Sequence, residues 1–137
     1  MNRLGWIVLG AVGGVASAQA LRRHLPERVL PAAASALVGA AAVYPVARRR
    51  TAGSRPEVVS ELSSVAAGTA VAAFGMWRGG STGRAIVAAG WLGHAGYDLV
   101  HHRGAGSRLP GWYPAVCAGF DVGMAAVLAA DPELTDG

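Results

Sequence analysis

Three of the four histidines of this 137-residue chain sit in one short stretch, GWLGHAGYDLVHHR, at positions 90–103. His94, Asp98, His101 and His102 are spaced i, i+4, i+7 and i+8. At about 100° per residue, these side chains fall within an arc of about 100° on a helix. Imidazole and carboxylate together form a donor set for a divalent metal ion such as zinc, iron or manganese. Two imidazoles one or two turns apart can hold one ion, and a carboxylate can add a ligand or orient an imidazole. His94, Asp98 and His101 are therefore the leading metal ligands, with His102 as a further one. Plainer uses exist for the same residues. His101 and His102, followed by Arg103, suit a cationic helix end at an interface. Asp98 suits a hydrogen bond between helices or a pair with an arginine.

Two more acids, Glu61 and Asp121, lie in apolar surroundings. Ionisable side chains inside a bilayer cost about 2.5–3.5 kcal/mol each on insertion scales and by default mark function. If the apolar segments are successive membrane spans, the third starts, the fourth ends and the fifth starts on one side. Counting about 1.5 Å per residue from that side puts Glu61 near the level of Asp98, and Asp121 near that of His94. Glu61, His94, Asp98, His101 and Asp121 are thus expected to converge in one column, with His101 and His102 at its mouth. A metal ion there would lower the pKa of bound water. Asp121 or Glu61 would then serve as general base in the hydrolysis of a lipid or another apolar substrate. Two alternatives need no hydrolysis. The column could conduct protons or metal ions, which in so short a chain requires a homo-oligomer. Or the acids could bond helices together in a non-catalytic membrane subunit, with Glu61 as an interfacial residue.

Positioning such a column takes helices. Apolar residues make up 53% of the chain and charged residues 15%, against ~25% charged in ordinary soluble domains. Five apolar segments stand at about 4–20, 29–47, 58–77, 84–102 and 112–130. A membrane span takes about 17–25 residues. Backbone groups in lipid must be satisfied within the segment, so such runs are helices. The expected fold is all-α: a polytopic integral membrane helix bundle of about five transmembrane helices. It forms one membrane domain over 1–137, ending in a short acidic tail at 131–137. Arginine, glycine and proline fill the separators. Pro31 and Pro56 suit helix starts, and Pro45 should stop or kink the second helix. Gly10-x-x-x-Gly14, Gly119-x-x-x-Gly123 and the trio Gly90, Gly93 and Gly96 predict close helix approach. Trp6, Tyr44, Trp77, Trp112 and Tyr113 lie near segment ends, where a membrane belt would hold aromatic rings.

All twelve basic residues are arginines, and the formal charge is +4. They punctuate the apolar runs instead of forming a patch, so no nucleic-acid partner is expected. With the N-terminus inside, seven arginines collect on the inner side (3, 48, 49, 50, 55, 103 and 108) and five on the outer (22, 23, 28, 78 and 84). That imbalance favours this orientation. Two other organisations compete. Ala16-Ser17-Ala18 after an apolar run resembles a signal-peptide cleavage site. A soluble Ala/Gly-rich bundle would suit the modest mean hydropathy of +0.37, but soluble helices carry a charged face, and segments one and two have no charged residue. Cys117 stands alone in an apolar segment and is expected to pack in the core.

Asp98-x-x-His101-His102 resembles the histidine boxes of membrane di-iron hydroxylases and desaturases, with Asp98 where those enzymes have histidine. They use many histidines in several boxes, and four histidines are too few for a complete site of that kind. The scatter of Asp, Glu and His over several spans also looks like the membrane metal-hydrolase superfamily of alkaline ceramidases and progestin-type receptors. Those proteins have seven spans and a motif order that this chain does not show. The HxxxDxxHH segment made by His94, Asp98, His101 and His102 is similar to that of small uncharacterised bacterial integral membrane proteins of about this length. That resemblance implies a multi-pass protein of the bacterial inner membrane, with the lipid bilayer as its partner, and no particular activity. The lysine-free, Arg/Ala/Gly-rich composition suits a high-GC bacterium.

Overall fold

The computed structural model describes residues 1–48, 54–101 and 107–130. Helix α1 runs Arg3–His24, and a 3-10 turn at Pro26–Arg28 leads into α2, Val29–Ala47. Helices α3 (Arg55–Arg78), α4 (Gly80–Val100) and α5 (Tyr113–Ala129) follow. The chain is all-α, and each apolar segment forms one helix. Among the described residues the sole strand-like pairing is an antiparallel bridge between Arg48 and Ser107. The acidic tail, 131–137, lies outside the described residues.

Local chemistry accounts for the helix ends. The Asn2 side chain accepts a hydrogen bond from the Gly5 N–H at 2.8 Å and caps α1. Ser54 and Glu57 form a reciprocal capping box with a proline in the first turn, so α3 begins three residues ahead of its apolar run. The next connection is far shorter than its composition suggests, because α4 starts at Gly80 and not near Arg84. Gly79 and Gly80 have φ of +61° and +55°, a region that side chains disfavour, so two glycines reverse the chain at once. Pro45 stays inside α2, which stops two residues later.

Among the described residues three stretches are long and apolar enough to cross a membrane: Arg3–His24, Pro26–Ala47 and Arg55–Arg78. Helix α5 is apolar but shorter, at 17 residues. Large apolar side chains face outward on α1, with Leu4, Val8, Leu9 and Val12 all exposed. A surface of that kind suits an apolar solvent.

Helix α4 is the hub: it packs on α5, α3 and α2, whereas α1 packs mainly on α5. Four glycines make the α1–α5 contact. A Cβ at Gly10 or Gly14 would strike the carbonyl oxygen of Val116 or Phe120, and one at Gly119 or Gly123 that of Ile7 or Ala11. The two small-residue pairs therefore face each other across the contact. On α4 only Gly90 of the expected trio is packed, against Leu37 and Val71; Gly93 and Gly96 have nothing within 4 Å of a Cβ position. Close approach at those two positions is not what the fold uses. The core gathers round Leu37, Val87, Trp91 and Leu128. Trp91 Nε1 donates to the Ala33 carbonyl at 3.2 Å and ties α4 to α2. At its two ends α1 serves its neighbours. Arg3 donates to the Leu99 carbonyl at 2.9 Å and Arg22 to the Ala130 carbonyl at 2.7 Å. Both bonds satisfy carbonyls left over at helix C-termini.

Candidate metal centre

Three ionisable side chains meet inside this bundle. His94 and Asp98 lie one turn apart on α4, and Asp121 faces them from the middle of α5. Position 121 is about 200° round the helix from 119 and from 123. So α5 gives its glycine face to α1 and its aspartate to α4. The three residues are 7%, 1% and 2% exposed. His94 Nδ1 is 2.8 Å from Asp121 Oδ2 and 3.6 Å from Asp98 Oδ2. One candidate ligand atom from each residue lies within 4.8 Å of the others, so the group could hold a metal ion.

Tyr44 on α2 completes the arrangement. Its hydroxyl donates to Asp98 Oδ1 at 2.6 Å. Asp98 Oδ2 is buried with no hydrogen-bond partner, as is His94 Nε2. Two carboxylates therefore share one imidazole, and no arginine pairs with either acid among the described residues. Buried carboxylates are costly unless a cation or a proton neutralises them. An orphaned oxygen beside a second carboxylate and an imidazole is the donor pattern of a cation site.

Glu61 does not join this group. It is 4% exposed, and both of its oxygens are held by Arg48, through Nε at 2.9 Å and Nη2 at 2.5 Å. Such a two-point clamp is among the stronger ionic hydrogen bonds, and Glu61 holds the Arg48 guanidinium further above its ordinary pKa. His101 Nε2 stands 3.5 Å from Glu61 Oε1. The His101 ring stacks on Tyr97, with centroids 4.9 Å apart, and meets Tyr44 edge-on at 4.5 Å. The structure thus divides the expected column into two groups. Asp121 sits at the level of His94, as counted, while Glu61 sits with His101, a turn outward from Asp98. His102 lies outside the described residues.

No family model, curated protein or solved structure matches the chain.

Among the described residues, openings border the site on two sides. A polar cleft of about 590 Å³ at the mouth is walled by Arg3, Trp6, Asp98, His101, Trp112 and neighbouring residues. Trp6 and Trp112 stack there at 5.3 Å. On another side, a groove of about 690 Å³ runs between α3 and α4 and includes His94 and Tyr97 in its wall.

Two residues of the site have other roles in the sequence reading. Tyr44 is expected in an aromatic belt but is 3% exposed and turned into the bundle. Arg48 is expected as a loop charge but clamps Glu61. A signal for both exists. Leu37, Ala41, Tyr44 and Arg48 are spaced i, i+4, i+7 and i+11, one face of one helix. The first three are buried.

Proposed function

We propose that this chain is a five-span protein of the bacterial inner membrane that holds one divalent metal ion through His94, Asp98 and Asp121, and that it hydrolyses a lipid-like substrate there. The buried pair Asp98 and Asp121, with one imidazole between them, one orphaned oxygen and no arginine on either acid among the described residues, carries the reading. Helix α4, of 21 residues, is about 31 Å long, close to the ~30 Å hydrocarbon core, and α5 is at the lower limit of a span. Because α5 lies between α1 and α4, both helices cross with the three long ones.

Zinc, iron or manganese at this site would lower the pKa of a bound water. Tyr44 fixes one oxygen of Asp98 and leaves the other turned toward His94. Asp121 would offer the ion one oxygen, and its other oxygen would take the proton from that water. Glu61, with both oxygens on Arg48, is a clamp between α2 and α3. Water and ions have the polar cleft, and an apolar substrate has the groove.

The test is the metal content of protein purified in detergent without a histidine tag, beside a His94→Ala/Asp121→Ala variant, by mass spectrometry. About one equivalent in the parent and none in the variant is the expected result. A metal-free parent, even after reconstitution with zinc, iron and manganese, would sink the metal reading. It would favour protons shared among Asp98, Asp121 and His94, for which the 2.8 Å His94–Asp121 bond already suffices.

A further inference from the structure

The groove between α3 and α4 has a chemical gradient along its length. Ser60, Ser63, Ser64 and Tyr97 line one end, next to His94, and Phe74 and Ile86 line the other. Ser60 Oγ donates to Tyr97 Oη at 3.5 Å. Small residues, among them Ala67, Gly68, Ala89 and Gly93, line the stretch between. Helix α3 rises about 21 Å from Ser60 to Phe74. The groove is therefore long, smooth and apolar, with its hydrogen-bonding groups gathered at the end where α3 begins and α4 finishes. The volume of about 690 Å³ is that of a site for one small molecule. His94 stands in the wall at this end, with a side chain 5% exposed and an Nε2 that has no hydrogen-bond partner; a ring nitrogen and a hydroxyl can bond whichever of the two carries the proton.

We propose that this groove binds a single-chain amphiphile, with its tail along Val71, Phe74 and Ile86 and an uncharged hydroxyl-bearing head at Ser60, Tyr97 and His94. The head then lies at the level of the membrane where the polar cleft opens, so the ligand stands in the leaflet on that side. A monoacylglycerol has this chemistry. The inference deepens the metal reading by naming the class of substrate, but binding in the groove needs no metal.

Gly93 and Gly96 provide a matched pair for the test. Both lie on α4, and both would place a side chain in open space, yet only Gly93 lines the groove. The protein, treated with a chelator and reconstituted in nanodiscs, is exposed to a monoacylglycerol that carries a photoreactive diazirine in mid-chain. Labelled peptides are then mapped by mass spectrometry. Labelling is expected on 67–74 and 86–93. Gly93→Leu and, on the facing helix, Ala67→Leu should each lower it at least tenfold, and Gly96→Leu should leave it unchanged. Unlabelled monopalmitoylglycerol should compete, and hexadecane should not. Equal labelling of Gly93→Leu, Ala67→Leu and parent would overturn the proposal, as would labels spread over the outward face of α1. Equal competition by a two-chain diacylglycerol would overturn the single-chain assignment. Groove labelling in a protein that takes up no metal would sink the metal reading and leave this one standing. Metal uptake without groove labelling would do the reverse.

Discussion

The two buried acid groups sit about one helical turn apart, and Tyr44 touches both, yet they are built on opposite principles. Around Glu61 the chain supplies the countercharge itself: Arg48 binds both oxygens, and His101 stands at 3.5 Å. Around Asp98 and Asp121 it supplies one imidazole and one tyrosine hydroxyl for two carboxylates. The first group is complete, and it fixes the end of α2 against the start of α3. The second is incomplete, with one oxygen and one ring nitrogen unpartnered. The bundle brings an arginine to one acid and, among the described residues, brings none to the pair beside it.

Breaking the complete group should cost most. Arg48→Met takes the two-point clamp from the buried Glu61 and leaves it the His101 imidazole at 3.5 Å, and a loss of about 3–5 kcal/mol in unfolding free energy is expected. Arg48→Met/Glu61→Leu should recover most of it. Denaturant titration in detergent reads both. Next come the α1–α5 glycines. A Cβ at Gly14 meets the Phe120 carbonyl, so Gly14→Ala should lower stability by about 1–3 kcal/mol without changing metal content. Tyr44→Phe frees the second oxygen of Asp98 and removes the group that orients it. Metal affinity should fall about 10–100-fold, measured by competition with a chelating dye. The smallest effect sharpens the contrast. In chelator-treated protein Asp98→Asn should lower stability by no more than about 1 kcal/mol, because it removes one of two buried carboxylates that share a single imidazole and keeps the oxygen that accepts from Tyr44. A loss as large as that of Arg48→Met would erase the distinction between the two groups.

Much of the fold was legible in the apolar segments, and α2 has the bounds that its segment suggests. The α3–α4 turn was not legible, because two adjacent glycines with positive φ reverse the chain in less space than a six-residue polar run implies. In the site, the helical spacing brings His94 and Asp98 together. His101 keeps a helical φ of −69° and its N–H still bonds the Tyr97 carbonyl at 2.8 Å, but it lies a turn further along α4, where it meets Glu61 at 3.5 Å instead of Asp121. Counting depth along the helices placed Asp121 beside His94 and Glu61 within a turn of Asp98. Depth carries no direction round the helix axis, however, and Glu61 faces α2. Tyr44 resembles a belt residue by its place near a helix end, and its partner Asp98 is 54 residues away. No local pattern reports a contact of that separation; only the shared face with Leu37 and Ala41 points inward.

The most direct test of the central claim is thermal unfolding of the chelator-treated protein in detergent, with and without added zinc, manganese or iron(II). An ion that binds only the folded state, at about 100 times its Kd, stabilises by about 2.7 kcal/mol. The account predicts a rise in Tm for the parent and for Glu61→Gln with at least one of these ions. It predicts none for Asp98→Asn/Asp121→Asn. No rise in the parent with any of the three ions, or an equal rise in the double variant, would contradict it.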